Sequence, residues 1–329
     1  MIIDLPHKQR LNSPALAGFF VGVIFLLSLL TGCVTPQVQR LNEQWPAGLP
    51  DQVLLADTPF FPQEDYECGP AALATLLQAS GVAVLPKQLA PQVFLPGRKG
   101  SLQVELMVAS RRHGLPAYPL APTLAAVLQE VAAGHPVLVF QNISLPIYPI
   151  WHYAVVIGFD RERQLLTLRS GVTAKLEMSL SVFERTWARG GYWSMVALPV
   201  SQLPATAEPE ALVAAVAALE RLNPRAAHSV YLTALQRWPA QPLLLMGSGN
   251  AAYALGDRAA AAAAYRAATL ADPKFADAWN NLAQVLMEQG QQAEALQALR
   301  RALALGGPRL STYQQLEQEL LGKPARNVN

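Results

Sequence analysis

The stretch PQEDYECGPAALATLL, residues 62–77, places Cys68 immediately before an alanine- and leucine-rich segment that predicts a helix over about 68–80. Pro70 suits the first turn of such a helix, because the N–H that proline lacks would have no partner there. Gly81 ends the helical pattern. The simplest interpretation of Cys68 is a small buried apolar residue. The alternative is a nucleophile, because the N–H groups at a helix N-terminus favour a thiolate.

The surrounding segment, residues 57–200, changes from helical to extended patterns. Helical spacing predicts two further helices, over 101–114 with Ser101 as N-cap and over 123–134 with Thr123 as N-cap. Short β-branched or aromatic runs between turn residues then predict four strands, over residues 136–142, 152–160, 164–171 and 191–199. Helices followed by an antiparallel sheet predict an α+β domain.

The last third of the chain repeats with a period of 34 residues, so that Gly256 matches Gly290 and Ala268 matches Ala302. This period, with small residues where helices cross, resembles the tetratricopeptide repeat. The predicted all-α solenoid comprises residues 208–323, with repeats at about 208–241, 242–275 and 276–309 and a polar-faced capping helix after them. Such an array presents a concave surface to a protein partner or to a substrate polypeptide.

The N-terminus has the pattern of a secretory signal, with a basic region, an apolar run over residues 15–30 and LTGC at 30–33. LTGC resembles the lipobox of bacterial lipoproteins, which implies a signal peptide over 1–32 and acylation of Cys33. The alternative is an uncleaved anchor, although 16 apolar residues are few for a spanning helix. Residues 33–56 are then expected to be a polar tether. The expected location is the cell envelope, anchored in the outer membrane and facing the periplasm.

Acylation of Cys33 would leave Cys68 as the only thiol of the mature chain, because the sequence contains two cysteines. A lone thiol cannot form an intramolecular disulfide and is exposed to oxidation in an exported compartment. A function would explain why Cys68 is present.

A thiol needs a base, and the best-placed histidine is His152, which opens the strand HYAVVIGFD after a proline-rich loop. The alternative is an ordinary histidine at a strand end. His113 fits a helix C-terminus and His135 a turn, and neither position requires chemistry.

Two blocks in this order, Q-x4-CGPAALATLL and, about 80 residues later, HYAVVIGFD, resemble the papain-like cysteine peptidases that remove double-glycine leaders from bacteriocins, and their stand-alone relatives. The resemblance covers about residues 57–170. It implies a papain-like fold with Cys68 as nucleophile, His152 as general base and Gln63 as a donor to the oxyanion.

The sequence departs from this pattern at two places. Gln63 stands five residues before the cysteine, whereas six is usual in the bacteriocin-processing branch. A turn at 160–163 brings LRSG, residues 168–171, beside His152, where the family has an aspartate followed by proline. Ser170, Asn142 or a backbone carbonyl would then orient the imidazole. Asn142, at the end of PVLVFQN, is expected to be the better-placed side chain.

Other chemistry finds no support in the sequence. No phosphate loop or dinucleotide fingerprint is present, and one cysteine among scattered histidines does not make a metal site, so no cofactor or metal is expected. A net charge of +2 without a basic stripe gives no case for nucleic acid.

The sequence therefore predicts an exported lipoprotein that cleaves peptide bonds through a Cys–His acyl-enzyme, with repeats that bind a partner or the substrate. Two alternatives stay open. One is a non-catalytic peptide-binding scaffold with a degenerate peptidase domain, and the other is an acyl transferase that uses the same Cys–His pair.

Overall fold

The computed structural model describes residues 35–63 and 67–322. The predicted signal peptide and the lipidation site Cys33 lie outside these residues. Within the described residues, no helix is both long and apolar enough to cross a bilayer.

The N-terminal part combines helices with an antiparallel sheet. Its described helices are α1 (Pro36–Glu43), α2 (Cys68–Ala79), α3 (Pro86–Val93), α4 (Gln103–Arg112), α5 (Leu124–Ala132) and α6 (Leu180–Arg189). Its described strands are β1 (Gln52–Leu54), β2 (Phe94–Leu95), β3 (Gly100–Ser101), β4 (Ala117–Pro119), β5 (Val137–Asn142), β6 (Trp151–Asp160), β7 (Leu165–Ser170), β8 (Thr173–Ser179) and β9 (Ser194–Ala197).

The main sheet has the order β4-β9-β5-β6-β7-β8, with β1 paired to the far end of β6. Alternating side chains divide the core between the two faces of this sheet. Tyr153 and Val155 on β6 face a core with α2, α3 and α4. Ala154 and Val156 face a second core with α5 and α6. The predicted α+β architecture is confirmed, and the sheet carries the start of β6 to the N-terminus of α2.

The structure corrects the predicted N-cap at Ser101. Helix α4 begins at Gln103, and Ser101 instead belongs to β3, which pairs with β2 in a short hairpin. The side chain of Ser101 packs on Gly69, where a Cβ atom would overlap it. Thr123 does cap its helix, since its hydroxyl accepts from the Ala126 N–H at 3.2 Å.

The structure also differs from the expected tether. Helix α1 buries Val38 and Leu41 in the core formed with α5 and α6. The buried carboxylate of Glu184 accepts the N–H groups of Gln37 and Val38 at 2.9 and 2.8 Å. A helix N-terminus needs such acceptors, and this one lies about 146 residues away in the chain. Local polarity therefore does not reveal that the segment is packed.

The C-terminal part is a series of antiparallel helix pairs. These helices are α7 (Pro209–Glu220), α8 (Pro224–Arg237), α9 (Pro242–Ala254), α10 (Arg258–Ala271), α11 (Ala276–Glu288), α12 (Gln292–Leu305) and α13 (Leu310–Gly322). The rings of Tyr231 and Tyr265 lie on Gly247 and Gly249, where any side chain would overlap them. Small residues at the helix crossings thus allow the close packing that the period of the sequence predicted.

A buried carboxylate fixes the repeats to the first domain. Glu130 is fully buried and accepts hydrogen bonds from His135 Nδ1, from the N–H groups of Ala205 and Thr206, and from the Thr206 hydroxyl. Burial raises the pKa of Glu130, but these hydrogen bonds outweigh it and hold the pKa below its usual value. These bonds fix the linker before α7 to the first domain. Helices α7 and α8 also share the core of that domain.

Candidate active site

Cys68 is the first residue of α2 and is half-buried at the end of the sheet. Its pKa is raised above that of an ordinary thiol, because burial outweighs the backbone N–H groups of Tyr153, Gly69 and Cys68 itself, which favour the thiolate. Cys68 packs against the core cluster that contains Tyr153, near the start of β6. His152 is the residue next to Tyr153 in this strand.

His152 is held through one ring nitrogen. Its Nε2 lies 2.8 Å from the Ser170 hydroxyl, and Nδ1 is left without a hydrogen-bond partner among the described residues. Burial lowers the pKa of His152 below the usual imidazole value. The raised pKa of the thiol and the lowered pKa of the imidazole both favour the neutral forms, and a neutral imidazole can accept a proton.

Ser170 ends β7, and the turn that follows it binds the backbone of Gln63. The Gly171 carbonyl accepts the Gln63 N–H at 3.2 Å. The backbone of Gln63 is therefore fixed one residue from the orienter of His152. Gln63 lines the same cleft as Cys68 and His152.

Asn142 lies elsewhere, although the sequence suggested it as the better orienter of His152. Its Oδ1 accepts the N–H groups of Ser144 and Ile150, both at 3.0 Å. In the register of β5 and β6, Asn142 is opposite Trp151, and Gln141 is opposite His152. Asn142 thus shapes the β5–β6 loop, and Ser170 occupies the place at the imidazole.

The aspartate of the family pattern is not replaced by another carboxylate, since no described carboxylate bonds to His152. Instead Arg169, one residue before Ser170, donates to the carbonyls of Ala56 and Thr58, at 2.8 Å and 2.6 Å from Nη2. This guanidinium anchors the segment that leads to Gln63. The sequence does not reveal this role, because it depends on where a distant loop passes.

Cys68, His152 and Gln63 line a cleft of about 1020 Å³. One side is aromatic and aliphatic, and the rings of Phe140 and Trp151 stack there at 5.2 Å. The turn of the β2–β3 hairpin also lines the cleft, and the buried hydroxyl of Ser101 has no hydrogen-bond partner in the described structure. A cleft of this size accommodates several residues of an extended peptide. The run GRKGS, residues 97–101, is a turn signal that would have indicated this wall.

The described residues contain no group of three or more histidine, cysteine, aspartate or glutamate side chains arranged to hold a metal ion. The chemistry that the site offers on its own residues is thus a thiol, an imidazole with an oriented ring, and an amide at the edge of the cleft.

Family models match both parts of the chain. Residues 55–195 match the Peptidase_C39 like family, and residues 212–257 and 246–309 match the tetratricopeptide repeat. No curated protein matches the chain. The resemblance carried by CGPAALATLL and HYAVVIGFD is confirmed, as is the resemblance of the repeats.

Solved structures resemble each part separately. A C39-like peptidase from Bacillus anthracis is 18% identical, with 45% of this chain and 98% of that chain covered and a TM-score of 0.39. A double glycine motif protease from an AMS/PCAT transporter, in complex with the leader peptide, is 20% identical, with 43% and 91% covered and a TM-score of 0.33. The Sgt2 tetratricopeptide domain from Aspergillus fumigatus is 26% identical, with 37% and 90% covered and a TM-score of 0.29.

Residues 55–195 therefore have the fold of the C39-like peptidase family, and residues 212–309 form a tetratricopeptide array that packs against it.

Proposed function

We propose that this protein is a lipid-anchored cysteine peptidase of the cell envelope, facing the periplasm, with a tetratricopeptide array that binds a partner or the substrate. The observation that carries the enzymatic part is that Cys68 and the start of β6 line the same cleft. Cys68, His152 and Gln63 line one cleft, and the His152 ring is oriented there by Ser170. The LTGC motif at 30–33 supports the anchor on Cys33.

The proposed reaction begins from the neutral pair. Nε2–H of His152 donates to the Ser170 hydroxyl, which leaves the lone pair on Nδ1 to take the thiol proton as Cys68 attacks a peptide carbonyl carbon. The oxyanion accepts hydrogen bonds from the Cys68 N–H and the Gln63 side chain. The imidazolium then protonates the leaving amine as the C–N bond breaks, which yields a thioester.

Deacylation reverses these proton movements. A water molecule gives a proton to Nδ1 of His152 as its oxygen attacks the thioester carbon, and Cys68 leaves and recovers the proton. Ser170 is a neutral orienter, so it holds the tautomer but stabilises the imidazolium less than a carboxylate does. Slower turnover than in a peptidase with the aspartate is the expected consequence.

A second candidate function is peptide binding without cleavage. The raised pKa of Cys68 and the missing carboxylate favour it, since both reduce the reactivity of the thiol. The large cleft and the repeats are equally suited to holding a polypeptide.

Product analysis in H₂¹⁸O separates these functions. The protein is incubated with a peptide library, with and without a small primary amine, and the products are identified by mass spectrometry. A peptidase gives new C-termini that contain one ¹⁸O atom. Amide products with the added amine would indicate acyl transfer, and peptides that are retained but intact would indicate a binding protein and contradict the proposal.

The pH dependence of Cys68 alkylation provides a separate prediction. Because burial raises the pKa of the Cys68 thiol, the thiolate is scarce at neutral pH. The rate of reaction with iodoacetamide should therefore still increase with pH above about 8.5, the ordinary pKa of a thiol. The chain acylated at Cys33 is alkylated between pH 5 and 10, the reaction is quenched at set times, and mass spectrometry measures the profile. A plateau between pH 5 and 8 would reveal a thiolate–imidazolium pair and contradict the neutral pair.

A further inference from the structure

The loop between β5 and β6 exposes an unusual amount of apolar surface. Residues 143–151, ISLPIYPIW, contain no charged side chain. Their exposed apolar members are Ile143 (46%), Leu145 (62%), Ile147 (76%), Tyr148 (75%), Ile150 (56%) and Trp151 (51%). A contiguous apolar surface of this kind on a folded domain marks an interaction site.

Backbone hydrogen bonds fix the shape of this loop. The Ile143 N–H donates to the Ile150 carbonyl at 2.9 Å, and the Tyr148 N–H donates to the Leu145 carbonyl at 3.1 Å. Asn142 joins both ends of the loop through its Oδ1. Pro149, Ile150 and Trp151 line the catalytic cleft, but the tip residues 145–148 do not. A peptide bound in the cleft would therefore leave the tip of the loop uncovered.

The first described residues leave the fold at the same end of the domain. β5 runs toward the loop. Helix α5 packs on β5 and β6 and ends a short turn before β5 begins, so it runs antiparallel to β5. The start of α5 therefore lies near the loop end. The Gln37 side chain accepts the Leu124 N–H at 2.6 Å at this start of α5. After α1, Trp45 packs at 6.0 Å on Phe159 near the other end of β6. Helix α1 thus runs away from the loop end, and its N-terminal end, next to Thr35, is the end nearer the loop.

Cys33 precedes Thr35 by only two residues in the sequence. Two residues span at most about 7 Å. A lipid on Cys33 would therefore hold the loop end of the domain close to the bilayer surface.

We propose that residues 143–151 insert into the interfacial region of the lipid bilayer, so that the cleft beside Cys68 opens at the membrane surface. This inference rests on the lipid anchor of the proposed function. Tryptophan and tyrosine favour the membrane interface, and the aliphatic side chains at the tip gain from leaving water. The loop orients the domain, whereas the acyl chains only tether it. Polypeptide segments close to the bilayer would then be the substrates that reach the cleft.

An environment-sensitive fluorophore tests the depth of the loop. Tyr148→Cys is labelled in the acylated Cys68→Ser chain, which contains no other free thiol, and the protein is reconstituted into phosphatidylethanolamine–phosphatidylglycerol vesicles. We expect a blue shift of the emission and strong quenching by lipids that carry a nitroxide near the headgroup. The matched control is Leu270→Cys in α10, which is 81% exposed and belongs to the repeats, and its label should show neither change.

The outcomes separate the inference from the function beneath it. Flotation of the protein with the vesicles, without quenching at position 148, would overturn the inference and leave the anchor intact. Loss of flotation would overturn the anchor and the inference together. A label at 148 that ignores lipid but responds to added peptide would make the loop a substrate subsite, which also overturns the inference. The peptidase mechanism is not involved in any of these results, because Cys68 is replaced in every variant.

Discussion

Replacement of Cys68 by alanine is expected to abolish peptide hydrolysis, with kcat/KM lower by at least about 10⁴-fold, and to abolish alkylation of the acylated chain. The reason is that the acyl-enzyme of the proposed reaction forms on the sulfur of Cys68. The rate is measured with a peptide found in the library experiment, and the alkylation with iodoacetamide and mass spectrometry.

The control must show that the fold survives the loss of the thiol. Cys68 is half-buried and alanine is smaller, so the melting temperature should change little compared with the loss of activity. Val172→Ala is a matched variant, because Val172 lines the same cleft and is 77% exposed. It should retain most of the activity. Hydrolysis that persists in Cys68→Ala would refute the mechanism.

Replacement of His152 by alanine is expected to lower kcat by about 10³-fold, within the range of roughly 10²–10⁴ that general acid–base catalysis contributes. In the proposed reaction His152 both receives the thiol proton and protonates the leaving amine, so its loss should slow acylation most. Because the resting pair is neutral, the pH profile of Cys68 alkylation should hardly change in this variant. A large downward shift of kcat with an unchanged alkylation profile is the combined result that supports a general base.

Ser170 gives a graded comparison for His152. As a positioning residue it acts only through the ring, so Ser170→Ala should lower kcat by about 10–100-fold and leave KM nearly unchanged. Ser170→Thr keeps the hydroxyl and should restore most of the rate. Equal activity in the wild type and Ser170→Ala would show that the 2.8 Å contact does not matter for the tautomer.

The elements with strong local patterns were predictable. Helix α2 spans Cys68–Ala79 where a helix over about 68–80 was predicted, and β6 spans Trp151–Asp160 where a strand over 152–160 was predicted. The repeat period gave the helix pairs of the solenoid, because each repeat buries its apolar side against its neighbours in the chain. In the site, the sequence named Cys68, His152 and Gln63, and the structure gathers all three at one cleft. Their catalytic roles stay predictions.

The features that were not predictable depend on contacts distant in sequence. The segment at 33–56 is polar on average, yet α1 is packed because Glu184 receives its N-terminal N–H groups. The choice between Ser170 and Asn142 depends on register, since a shift of one residue between β5 and β6 changes which side chain stands opposite His152. Periodicity within one strand contains no information on the register of its neighbour.

The sequence by itself therefore determined the two parts of this protein, the helix that begins at Cys68 and the histidine near the start of β6, because periodicity, turn residues and short motifs are local properties. Only the tertiary structure decided what holds that histidine and which end of the domain carries both the apolar loop and the start of α1. Those relations arise where strands and helices far apart in the chain pack together, and the physical reason is that pairing register and packing are set by partners that no local pattern specifies.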